Sequence, residues 1–291
     1  VRRSLVLLAL PSILAAAQPS VRELTLKTPD GYLLKGTLTL PSGHGRCAAV
    51  ILAHQFQSDR SGWAPLAEQL RGRGIATLAL DMRGHGKSTE RNKENVAVGT
   101  DFAESAKRVG FEQMPHDLEL AAAWLRKQPG IDGRRVALAG SSVGAFSVIL
   151  ASPRIHPAAV LALSPAGNSA FGPEAEAHLK SAVRHARSAV FALAAEEDAD
   201  AWQNCKALSG LPGVYAKGVE GKAHGFEFLA PQGDTMAVFL GEYLRKRVSS
   251  KPKGEAKGEP ATSAQAEPKP EPRPEPKAPI APKPAPKNPA K

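Results

Sequence analysis

Two stretches near the start of this 291-residue chain alternate apolar and polar residues with period two: residues 22–28 (Arg-Glu-Leu-Thr-Leu-Lys-Thr) and 32–40 (Tyr-Leu-Leu-Lys-Gly-Thr-Leu-Thr-Leu). Such alternation belongs to strands with one wet face, and Pro29-Asp30-Gly31 between them supplies the turn of a hairpin. The pattern then changes. Residues 47–53 (Cys-Ala-Ala-Val-Ile-Leu-Ala) are apolar without a break, which suits a strand buried on both faces of a parallel sheet. Similar runs recur at 75–80, 135–140, 158–163 and 189–195, and 213–219 reads as a last strand. Helical spacing fills the intervals: 63–71 ending at Gly72, 115–128 stopped by Pro129-Gly130, the run after Gly144, 174–187 and 201–208. A closing helix is expected over 235–248, with Met236, Val238, Phe239, Leu240, Tyr243 and Leu244 on its buried side. Residues 89–112 are polar, show no period and read as irregular. Strand and helix alternating after an antiparallel hairpin predict an α/β fold: a mostly parallel, doubly wound sheet with helices on both faces. No second domain with a core of its own and no internal repeat is visible.

The two ends differ from this body. Residues 1–17 carry Arg2-Arg3, an apolar run at 5–14 and Ala15-Ala16-Ala17, the layout of a secretory signal removed before Gln18. That predicts an exported protein, periplasmic or extracellular. No other run reaches the roughly 18 apolar residues of a membrane span, so no transmembrane anchor is expected after signal cleavage. From residue 249 the chain holds twelve of its 25 prolines, with nine Lys/Arg against five Glu after position 250. Such a segment cannot bury enough apolar surface to offset its ordering entropy, so 249–291 reads as a disordered, partly polyproline-II tail behind a domain at 18–248. It serves as an inert linker or as an arm touching an anionic envelope polymer.

The formal charge of +10 changes meaning once divided: the tail and Arg2-Arg3 account for more than half of it. No basic helix with interleaved aromatics remains, so a nucleic-acid partner is not expected. Cys47 and Cys205 form no C-x-x-C and read as small buried or half-buried residues too far apart to bridge. His116, at a helix start, reads as a cap or surface group; His44, His156, His178 and His185 show no metal spacing, and there is no H-E-x-x-H or Cys/His cluster, so neither metal nor cofactor is expected. The Gly-rich turn Arg83–Ser88 lacks the first glycine of a phosphate-binding loop.

The chemistry centres on Gly140-Ser141-Ser142-Val143-Gly144, a G-x-S-x-G between an apolar strand and a helix. In that setting the serine sits on a strained turn with its hydroxyl raised above the sheet edge, and the flanking glycines let strand and helix pass closely. Acyl transfer by serine needs a base, a group to orient the base, and donors for the oxyanion. His224 follows the last expected strand, at the sheet edge where parallel α/β folds hold their sites. Glu196, Glu197, Asp198 and Asp200 follow the strand at 189–195; Asp198 is favoured as the orienter, with Glu197 and Asp200 open. The Val143 amide, at a helix N-terminus, is one oxyanion donor, and the Phe56 amide, in the loop after the first buried strand, is the other.

The segments Leu52-Ala53-His54-Gln55-Phe56, Asp81-Met82-Arg83-Gly84-His85-Gly86-Lys87-Ser88, Gly140–Gly144, Glu196-Glu197-Asp198 and Ala223-His224-Gly225-Phe226 occur in one order across 22–248. In these the chain resembles the α/β-hydrolase superfamily, within it the short-lid group similar to dienelactone-hydrolase-like and acyl-esterase or serine-peptidase members. The resemblance implies a minimal cap, because only 164–188 separates the two strands between which a cap is usually inserted. It implies an open site with 89–112 as one wall, and it makes His85 a turn residue. Two departures stand out: dienelactone hydrolases use a cysteine where this chain has Ser142, and the loop that usually has glycine after its histidine has Gln55. The expected function is cleavage of a carboxylic ester through an acyl-enzyme, on a small-molecule ester or peptide substrate. The alternatives are a peptidase or amidase with the same residues, and a non-catalytic envelope-binding module tethered by the tail.

Overall fold

The wet-faced hairpin is β1 (Ser20–Lys27) and β2 (Leu33–Leu40), antiparallel, with Leu26 opposite Leu34. The structure, a computed structural model, describes residues 20–43 and 45–249, with side chains through 245; the expected signal segment and proline-rich tail lie outside the described residues, save the first tail position. After the hairpin come β3 (Cys47–Ala53), α1 (Ala64–Gly72), β4 (Ala76–Leu80), a small ribbon of β5 (Glu90–Arg91) and β6 (Glu94–Asn95), α2 (Phe102–Val109) and α3 (Met114–Leu125). Then follow β7 (Ile131–Ser141), α4 (Val143–Ile155), β8 (Ala159–Leu163), α5 (Ala175–Ala186), β9 (Ala189–Ala195), α6 (Ala199–Leu208), β10 (Val214–Val219) and α7 (Leu229–Ser249). The main sheet runs β1-β2-β4-β3-β7-β8-β9-β10, parallel from β4 to β10, with β2 antiparallel to β4.

The unbroken apolar runs follow from burial on both faces. Along β3, Ala49, Ile51 and Ala53 join one core and Val50 and Leu52 the other. The first core is covered by α2, α3, α4, α5 and α6, through Val109, Leu118, Phe146, Ile149, Leu179 and Cys205. The second is covered by α1 and α7, through Leu66, Leu70, Met236, Leu240 and Leu244. Because Leu179 and Val183 pack into the same core as α4, α5 is a flanking helix, and only the loop at 164–174 stands beside the sheet edge. The two cysteines are unbridged.

An ion cluster around a buried arginine fixes the Gly-rich turn. Arg83, 1% exposed, donates from Nε and Nη2 to Asp117 at 2.6 and 2.7 Å and from Nη1 to Asp30 at 2.9 Å. Burial by itself would lower the guanidinium pKa; the two carboxylates outweigh it and raise it. Three segments, the hairpin turn, the Arg83 turn and α3, are thereby tied to one charge.

Three sequence expectations need correction. The 89–112 stretch contains α2, whose first turn is capped by Asp101 accepting from the Glu104 amide and whose end is Gly110 at φ 81°. Asp at the N-cap, Glu in the first turn, Lys107-Arg108 in the last and a C-terminal glycine are helix signals that the polar composition obscured. The closing helix starts at Leu229, earlier than expected, because Pro231 sits in the first turn, where N–H groups have no intrahelical acceptor anyway. Val238 is 43% exposed: Met236, Ala237, Leu240 and Leu244 already form the buried stripe.

Candidate active site

β7 ends at Ser141, and Ser142 turns the chain into α4 with φ 56° and ψ −121°, a conformation costly for a residue with a side chain. The turn is held from both sides. The Ser142 amide donates to the Leu163 carbonyl at 2.8 Å, and the Ser142 carbonyl accepts from Phe146 at 3.0 Å to open the helix. The glycines either side are required by close approach. A Cβ on Gly140 would lie 2.6 Å from the Ala145 Cα, and one on Gly144 would lie 2.5 Å from the His54 carbonyl oxygen and closer still to that of Ala53. Gly144 therefore lets the N-terminus of α4 rest directly on the end of β3. Ser142 Oγ has no hydrogen-bond partner among the described residues, and the residue keeps 9% of its surface open.

The segment after β3 is set by His54. The Met82 amide donates to Nε2 at 2.9 Å, so Nδ1 carries the proton and donates to the Gln55 carbonyl at 2.7 Å. Burial lowers the His54 pKa to about 4, which keeps the ring neutral. The next residue is Phe56. Its N–H and that of Val143 donate to no described residue. Its ring stacks edge-on with Phe102 of α2 at 5.2 Å and with His85 at 5.8 Å. His85 donates from Nδ1 to the Arg83 carbonyl at 2.9 Å, is likewise lowered to about 4 by burial and then by His54, and leaves Nε2 buried without a partner among the described residues.

His224 lies on the loop after β10, and its Nδ1 is 2.7 Å from Asp198 Oδ2. A carboxylate only accepts, so Nδ1 carries the proton and Nε2 keeps its lone pair for another group. Asp198 is the N-cap residue of α6, with 15% of its side chain exposed. Glu196, Glu197 and Asp200 are exposed and make no bond to the ring, so the structure pairs His224 with Asp198 among the four acids. No hydrogen bond joins Ser142 to His224 among the described residues; hydroxyl-to-base bonds of this kind are often open without substrate.

Three side chains that pattern reading did not assign also converge here. Ser164, at the end of β8 with φ 45°, accepts from the Gly225 amide at 3.0 Å. Gln55 Oε1 accepts from Ser141 Oγ at 2.8 Å and from the Phe226 amide at 3.1 Å. Glu227 accepts from the His224 amide at 2.7 Å. Only the last is local in sequence. The first two join residues 61 to 171 positions apart, beyond any periodicity.

A family model described as "Serine aminopeptidase, S33" matches residues 45–204, a span that includes Phe56, Ser142 and Asp198 and stops short of His224. An uncharacterized protein of Mycobacterium tuberculosis is 29% identical over 147 residues, covering 50% of this chain and 46% of that protein. The chain thus spans about half the length of the curated relatives it matches. Among solved structures, a dienelactone hydrolase from Anabaena variabilis superposes with a TM-score of 0.53 at 21% identity, over 79% of this chain and 98% of that one. An esterase of Pyrococcus furiosus superposes with a TM-score of 0.55 at 18% identity, over 84% and 96%. These likenesses show that the fold is that of the α/β-hydrolases.

Proposed function

Because this chain belongs to the serine aminopeptidase S33 family of α/β-hydrolases, we propose that it is an exported serine hydrolase that cleaves a carboxylic ester through an acyl-enzyme. Ser142 is the nucleophile, His224 the acid and base, and Asp198 the group that orients His224. The observation that carries the reading is the 2.7 Å bond between Asp198 and His224 Nδ1. It commits the ring to the tautomer whose Nε2 accepts a proton, on the same sheet edge as a serine in a strained strand-to-helix turn.

In the first half-reaction Ser142 Oγ attacks the ester carbonyl and its proton passes to His224 Nε2. Asp198 stabilises the imidazolium through Nδ1. The carbonyl oxygen, now negative, takes hydrogen bonds from the unengaged amides of Phe56 and Val143. As the C–O bond to the leaving group breaks, Nε2 returns its proton to the departing alcohol. A water then repeats the sequence on the acyl-enzyme, losing its proton to Nε2, and Ser142 leaves with that proton as the acid product is released.

The family description favours a second reading with the same residues, a peptidase or amidase, in which the leaving group is an amine. The experiment is fluorophosphonate labelling of wild type and Ser142→Ala, followed by p-nitrophenyl esters and aminoacyl p-nitroanilides side by side. Labelling that survives Ser142→Ala would refute the nucleophile assignment, and faster cleavage of the anilides would select the peptidase. Export rests on the pattern at 1–17 and is checked by the N-terminal sequence of the protein recovered from the periplasm or medium, which should begin at Gln18.

A further inference from the structure

The base of this site arrives from far away. β10, which precedes His224, is the edge strand of the sheet, and β9 and β8 separate it from β7, which precedes Ser142. At strand spacings of about 4.8 Å, the chain must cross roughly 14 Å of sheet edge to bring an imidazole to the serine. An unsupported crossing would let His224 wander by more than the fraction of an ångström that proton transfer tolerates. The loop is instead pinned where it lands. Gly225, at φ 55°, has no room for a side chain, because a Cβ there would overlap Gln55 Oε1 and Ser141 Oγ.

We propose that Gln55 is a positioning residue that locks the His224 loop to the oxyanion loop, an inference that rests on the serine-hydrolase reading above. The Phe226 N–H can only donate, so it fixes which end of the Gln55 amide faces it: Oε1 accepts from Phe226 at 3.1 Å and from Ser141 Oγ at 2.8 Å. The Gln55 backbone is equally fixed, because its carbonyl accepts from His54 Nδ1 at 2.7 Å, and His54 is in turn held by the Met82 amide. One side chain thus connects the residue two after His224, the residue before Ser142 and the residue before Phe56. A glycine at position 55 would leave the Phe226 amide and the Ser141 hydroxyl without this acceptor. Ser164 holds the Gly225 amide independently, so loss of Gln55 loosens the loop without freeing it.

The test uses the full chain as wild type, Gln55→Leu, Gln55→Glu and Ser142→Ala, with p-nitrophenyl acetate turnover across pH, thermal melting, and the proton NMR signal of His224 Nδ1–H. Gln55→Leu removes the acceptor at similar size. It should lower kcat about 10- to 100-fold with KM little changed, and broaden the Nδ1–H signal while melting stays close to wild type. Gln55→Glu keeps an acceptor in place. It should recover kcat at high pH, with the acid limb of the profile moved to higher pH, because a negative charge in contact with the loop that carries the imidazole favours the charged ring. Wild-type kcat and an unchanged Nδ1–H signal in Gln55→Leu, with Ser142→Ala inactive, would overturn the role of Gln55 alone. Equal loss in both Gln55 variants, in step with lowered melting temperatures, would overturn it too, since that is the signature of packing. Turnover persisting in Ser142→Ala would instead remove the nucleophile assignment, and this inference with it.

Discussion

Gly144→Ala tests whether the two amides proposed as oxyanion donors, Phe56 and Val143, are held at their separation by one close contact. The added Cβ would lie 2.5 Å from the His54 carbonyl oxygen, whereas real Cβ atoms essentially never come within 3.0 Å of a neighbour. Both partners are backbone, so no rotamer change relieves the clash. The N-terminus of α4 must back away from the end of β3 by about half an ångström or more, at a cost of about 1–3 kcal/mol for overpacking. In a domain of this size that is a fall in Tm of a few to about ten degrees, which leaves the protein folded at 25 °C. The functional effect is larger than the stability effect. Val143 moves with α4 and Phe56 stays with β3, so one donor goes out of line. Removing one donor costs about 10²–10³ in rate, and a misaligned one should cost an appreciable part of that. The assay is the second-order rate of fluorophosphonate labelling at 25 °C, with circular dichroism as the check on folding. Gly72→Ala is the control, because nothing lies within 4 Å of its added Cβ; it should label at the wild-type rate. Gly144→Ala labelling as fast as wild type in a folded protein would refute the reasoning, because the gap between Phe56 and Val143 would then be irrelevant to acylation.

Other expectations follow from the same geometry. Asp198→Asn should keep the fold and lower kcat by about 10³–10⁴, because the amide no longer enforces the productive His224 tautomer; loss no greater than tenfold would mean another acid orients the ring. His54 and His85 sit at about 4 in the folded protein against 6.5 ordinarily, lowered by burial. Between those values the unfolded chain binds more protons, so stability rises with pH through that window and is lost on acidification. Going from pH 7.5 to 5 should cost about 2 kcal/mol for each ring, read from urea midpoints, and His85→Phe should flatten part of the slope. The Cys205 thiol, pushed up to about 12 by burial and then by Asp198, should not react with Ellman's reagent at pH 8 until the protein unfolds; rapid titration in native Cys47→Ser, which removes the half-buried second thiol, would contradict its burial.

The order of chemistry along the chain was legible because it rests on local rules. Continuous apolar runs marked strands buried twice over, and alternation marked the wet hairpin. Gly140 and Gly144 marked a turn where a Cβ would collide with backbone. What the sequence left open was which of four neighbouring acids turns toward His224, and that choice was made by α6 starting just after Asp198, its N-cap residue, which fixes that carboxylate beside the ring while Glu196, Glu197 and Asp200 face solvent. The helix at 102–109 was obscured for a different reason. Its apolar side is narrow, only Ala106, Val109 and half-buried Phe102, and its stability comes from a cap at each end together with packing against Phe56 and Phe111. The anchoring of the His224 loop by Gln55 and Ser164 lies furthest from sequence. It joins atoms at or just past the ends of β3, β7 and β8 to the segment after β10, and they meet only because the parallel sheet carries all four strand ends to one edge. Periodicity fixes which face a residue shows; only the assembled sheet decides which distant residue stands opposite it.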